Sequence, residues 1–160
     1  MSVLSKYNQL NNRHCVENIK FLIENEINFS IFCELSKVSF TPELPEEIFS
    51  RFGPFVLFVL AGYSFNSLVL TPLSVEFEAG FGKDNIGSFV NVKVEGIIQL
   101  IVKDKKDDNV ILFSRNEVSS VFPEQKDEKD SLESSAAAIF SDPQNQKILK
   151  KIQKNKPELK

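Results

Sequence analysis

The chain has 160 residues, 42% of them hydrophobic, and a formal net charge of −3. That length is one domain with enough interior to bury a core, and no apolar run reaches the 18 or so residues a membrane span needs. The opening MSVLSKYNQLNNRH is too polar for a signal peptide, so a cytoplasmic location is expected. Residues 1–121 hold 15 acidic and 11 basic side chains. An acidic body argues against broad binding to a phosphate backbone, which needs a positive surface.

Residues 1–12, polar and Asn-rich, read as a loose lead-in, with Asn11 or Asn12 capping the helix that begins at 13. From 13 to 25 the apolar residues Val16, Ile19, Leu22 and Ile23 recur at the helical period. At Asn28 the period changes, and 29–35 reads as a strand buried on both faces because Phe32 breaks the alternation of Phe29, Ile31, Cys33 and Leu35. Residues 38–41 are extended up to Pro42, and Pro45-Glu46-Glu47 is suited to start a single helical turn.

After the Gly53-Pro54 turn, 55–61 is a continuous apolar run of strand length, and 66–70 is a short strand. In 75–81, Glu76 and Glu78 alternate with Val75, Phe77 and Ala79, the pattern of a half-buried strand. Residues 82–85 form its hairpin loop and 89–94 the return strand. The segment 95–102 fits a short helix or a strand equally, 104–109 is a charged turn, and 110–113 a last strand. One helix followed by at least five short strands predicts an α+β, β-rich domain: an N-terminal helix, then a small, partly open, barrel-like antiparallel sheet. Beyond Val121, PEQKDEKDSLESS lacks the apolar surface to order itself, so a disordered C-terminal tail is expected.

Chemistry-bearing residues are few. The one histidine, His14, falls at the end of the polar opening. With Cys15 and Cys33 it cannot make up the four ligands of a closed zinc site, so no metal and no cofactor is expected. Both cysteines read as buried and reduced. Glu76 and Glu78 lie about 7 Å apart on one strand face, a spacing that a solvated face shares with a carboxylate pair. Catalysis is not expected. A binding role fits better: Phe77, Ala79 and Phe81 beside Gly80 and Gly82 offer either an apolar strip next to open backbone, ready for an added strand, or simply core side chains.

The order KFLIENEINFSIFCEL, LPEEIF, FVLFVLAGYSFNSLVL and VEFEAGFG resembles the stringent starvation protein B family, adaptors that deliver tagged proteins to the ClpXP protease. The family's Phe-x-Ala-x-Phe-Gly stands here as Phe77-Glu78-Ala79-Gly80-Phe81-Gly82, and the likeness runs over residues 16–103. Departures are a hairpin about two residues longer, Gly82-Lys83 where the family has Gly-Gly, and Lys93 where it has proline.

The resemblance implies an adaptor that binds unstructured ssrA-type degradation tags. Residues 1–12 would be the lead-in, 13–121 the tag-binding domain and 122–160 a flexible tail. The groove would run along Phe77, Ala79, Phe81 and Gly82, with Val59 and Leu60 from the neighbouring strand. It implies a homodimer through the N-terminal helix, at Val16, Ile19, Leu22 and Ile23. It further implies docking on the ClpX unfoldase through Lys156, Pro157, Leu159 and Lys160, where KPELK matches the first part of the family's docking segment. The helical stripe Ile148, Leu149 and Ile152 either docks on a partner or packs on the body. The rival expectations are a small-barrel RNA-binding module, suggested by the lysines of the tail, and a protein-interaction module with no proteolytic role.

Overall fold

The structure is a computed structural model that describes residues 1–122. The tail segments, 123–160 with both docking candidates, lie outside the described residues. The chain divides into two units, Lys6–Val118 and a second that joins Met1–Ser5 with Ser119–Lys160. All the described strands belong to the first.

Helix α1 spans Val3–Glu24, ten residues earlier than the apolar pattern suggested. Its start is fixed by Ser2, whose hydroxyl accepts the Ser5 N–H at 3.0 Å, the geometry of an N-cap. The polar stretch is thus helix with a solvated surface, and the expected loose lead-in is corrected. Cys15, Ile19 and Leu22 are buried along one stripe. At the other end Glu26 N–H donates to the Ile23 carbonyl and Ile27 N–H to that of Leu22, with Glu26 at φ 54°. This is a Schellman stop with Glu where Gly is favoured. Among the described residues no helix is long and apolar enough to cross a membrane.

Among the described residues the fold is α+β, with two antiparallel four-stranded sheets and no closed barrel. One sheet has the order β3-β1-β7-β8, from β1 (Phe29–Glu34), β3 (Phe55–Leu60), β7 (Ile97–Lys103) and β8 (Asn109–Ser114). The other has the order β2-β6-β5-β4, from β2 (Val38–Thr41), β4 (Val69–Leu70), β5 (Ser74–Phe81) and β6 (Ile86–Lys93). Single helical turns α2 (Glu46–Phe49) and α3 (Tyr63–Asn66) lie between strands. The 95–102 segment therefore resolves as strand after a tight turn, and most of the expected 66–70 strand is α3 and its exit.

The sheets pack face to face through Phe side chains. Phe58 of β3 meets Phe77 of β5 edge-on at 5.4 Å between ring centroids, and Phe40 of β2 at 6.4 Å. Strand β1 alternates cleanly, with Phe29, Ile31 and Cys33 buried and Ser30, Phe32 and Glu34 half-buried, so it is not covered on both faces as expected. Strand β3 does the same: Val56, Phe58 and Leu60 turn inward and Phe55, Leu57 and Val59 outward. At the corner between the sheets, the turns after β1 and β6 approach so closely that a Cβ on Gly96 would lie 2.3 Å from Lys37 Cβ.

Candidate functional site

The β5–β6 hairpin sets up the site. Glu78 pairs with Phe89, Ala79 with Ser88 and Gly80 with Gly87, closed by the four-residue turn 82–85. Gly82 at φ 73° makes that turn possible. Gly80 and Gly87 stand opposite each other, so neither strand raises a side chain from the outer face of the sheet there; the Asn85 side chain lies over Gly80, and the space over Gly87 is open.

Beside it stands α3. Gly62 at φ 58° swings the chain out of β3, and the Asn66 N–H closes the turn on the Gly62 carbonyl at 2.9 Å. Ser67 at its end ties it to β5 in both directions. Its hydroxyl donates to the Ser64 carbonyl at 3.0 Å and accepts the Glu78 N–H at 2.8 Å. Glu78 N–H therefore points away from β6. In an antiparallel ladder residues alternate between facing their partner and facing away, so Gly80, two residues on, turns its N–H and C=O to the same outer edge. Strand β4 covers that edge only at Val75 and Glu76. From Gly80 onward it is open among the described residues.

A depression of about 410 Å³ lies over this floor, lined by Pro42, Tyr63, Glu78, Ala79, Gly80, Asn85, Gly87, Ser88 and Phe89. Tyr63 and Phe89 supply exposed aromatic walls. The Tyr63 hydroxyl donates to the Glu78 carboxylate, and this hydrogen bond holds the phenol above its ordinary pKa. Glu76 accepts from Asn91 Nδ2 at 2.7 Å. Neither carboxylate has an ion-pair partner among the described residues. Ser88, buried, donates to the Pro42 carbonyl at 3.0 Å and fixes the far wall.

The residues expected to form the groove fall in several different environments. Ala79 lines the depression. Phe77 and Leu60 are core side chains with no route to a ligand on the surface. Phe81 belongs to an aromatic cluster, with its ring 5.6 Å from Phe40 and 6.2 Å from Phe52. Gly82 serves the turn, where a Cβ would lie 2.9 Å from Ile48 Cδ1. Val59 lies on the outer face of the other sheet. The expected strip occupies the inward phase of β5, whereas the open site uses the outward phase and the edge. Sequence reasoning missed Tyr63, Gly80, Gly87 and Phe89 as a group. The equal offsets of Gly80 and Gly87 from the 82–85 turn were the available signal.

The four residues expected at a dimer surface lie on the core-facing side of α1. Ile19 and Leu22 are fully buried in the core of their own chain, and Val16 and Ile23 pack against it. His14 sits exposed on α1. Cys15 and Cys33 are buried and unpaired, and burial pushes both thiols up to about 12. Among the described residues no three His, Cys, Asp or Glu side chains come together to hold a metal ion. Comparison with protein families and with curated proteins finds no match to this chain.

Proposed function

We propose that this chain is an adaptor that binds unstructured peptide tags of the ssrA type and brings the tagged proteins to the ClpXP protease. The observation that supports tag binding is the open edge at Gly80 beside a depression whose floor is open over Gly87 and carries the Asn85 side chain over Gly80. An extended peptide adds there as a strand, its backbone pairing with the Gly80 N–H and C=O. One of its side chains enters the depression between Tyr63 and Phe89. Affinity comes from the backbone pairs and selectivity from what that depression admits.

Delivery rests on the resemblance. Under this reading residues 147–160, outside the described part, carry the contact to the unfoldase. Joining two weak contacts in one chain raises the local substrate concentration to about millimolar without any new chemistry.

Fluorescence anisotropy of the full chain with a labelled ssrA-type peptide and with a single-stranded RNA tests the proposal. Saturable peptide binding that changes little with salt is expected. Salt-sensitive RNA binding without peptide binding would overturn it, because phosphate contacts weaken steeply as salt rises.

A further inference from the structure

Of the described residues that line the depression beside Gly80, only Glu78 carries a formal charge. Its half-buried side chain rises from β5 directly opposite Phe89 of β6. Cross-strand partners of this kind have Cβ atoms about 5 Å apart. Tyr63 stands beside the carboxylate and donates its hydroxyl to it. Both rings are open to a ligand, Tyr63 being 69% exposed and Phe89 59%. Glu76, the next outward residue on β5, adds a second negative charge on the same face. Lys93, outward on β6, forms no ion pair with it among the described residues.

The side-chain hydrogen-bonding groups of the hollow are one-sided. The Tyr63 hydroxyl is spent on Glu78, and the Ser88 hydroxyl on the Pro42 carbonyl. A carboxylate offers about four acceptor positions, of which Tyr63 occupies one. The Asn85 side chain over Gly80 is the remaining polar group.

Three classes of peptide side chain meet these groups differently. An acidic one faces the like charges of Glu78 and Glu76, with no cation among the described lining residues. An apolar one strips water from the Glu78 carboxylate and gives it no partner, a loss that contact with two rings does not offset. A basic one fills the vacant carboxylate positions with its N–H groups and lays its charge against the aromatic rings. Its apolar stem then lies over the open floor at Gly87.

We propose that the depression selects a lysine or arginine side chain of the bound peptide, held by the Glu78 carboxylate between the Tyr63 and Phe89 rings. The proposal rests on the reading of the Gly80 edge as a peptide-binding edge, and it adds the charge of the residue that is read there. Because the peptide backbone pairs at Gly80, the basic residue lies next to that pair in the peptide sequence.

Labelled ssrA-type peptides carrying Lys, Gln or Glu at each position in turn test it, by anisotropy with the full chain. At one position Lys should bind about tenfold tighter than Gln, and Glu more weakly than either. Glu78→Gln should erase the preference for Lys over Gln at that position, and Glu78→Lys should reverse the order of Lys and Glu. Thermal unfolding of each variant is followed in parallel. If the Glu78 variants melt early, Phe89→Leu carries the test and should shrink the same preference by removing one ring. Peptides that bind with no position favouring Lys, or a preference indifferent to these substitutions, would overturn the inference and leave strand addition intact. No peptide binding at all would overturn both.

Discussion

Replacing Gly87 with Val separates the site from the fold. A Cβ at Gly87 would meet nothing within 4 Å, and its φ is not in the left-handed region, so the backbone accepts a side chain there. At this position, the second residue of β6, Val is favoured over Gly by up to about 1 kcal/mol through strand preference and reduced freedom of the unfolded chain. The variant should be as stable as the parent or slightly more so. Its side chain, however, stands in the depression over the Gly80–Gly87 floor. A peptide side chain displaced from there forfeits roughly 50–100 Å² of apolar burial, about 1–3 kcal/mol. The dissociation constant for an ssrA-type peptide should rise about 10–100-fold. Anisotropy titration with thermal unfolding in parallel reads both effects. A folded Gly87→Val protein that binds peptide as the parent does would refute the placement of the site.

The geometry sets three further outcomes. Gly96→Ala puts a Cβ within 2.3 Å of Lys37 Cβ and 2.6 Å of its Cγ, so the corner between the sheets must open. A loss of about 1–3 kcal/mol in urea unfolding is expected, and no loss would mean that the corner yields freely. Glu26→Gly relieves a left-handed residue at the end of α1 and should add about 0.5–1 kcal/mol, read as a rise in the urea midpoint. Cys15 and Cys33, with thiols pushed up to about 12, should resist a thiol reagent at pH 8 in the native protein and react once it is unfolded.

How much was legible in the sequence depended on where polarity broke the pattern. Glu76 and Glu78 between Val75, Phe77 and Ala79 give β5 an unambiguous phase, and the 82–85 turn then fixes β6 opposite it. In FVLFVL every residue is apolar, so the strand is plain but its faces are not. Only the structure shows Phe55, Leu57 and Val59 turned outward. Helix α1 begins earlier than its apolar stripe because the Ser2 cap and a solvated surface need no hydrophobic signal. The open edge at Gly80 was hidden for a different reason. It depends on Ser67 capturing the Glu78 N–H, a contact across eleven residues that no local period encodes.

The Gly80 amide is the most direct probe of the central claim. Its N–H faces the open edge, so in the free protein it should exchange with solvent faster than the amides of β5 that pair with β6. With an ssrA-type peptide at saturation, strand addition should slow that exchange at least tenfold, measured residue by residue by nuclear magnetic resonance. Peptide bound at saturation while the Gly80 amide exchanges at its free rate would contradict the account.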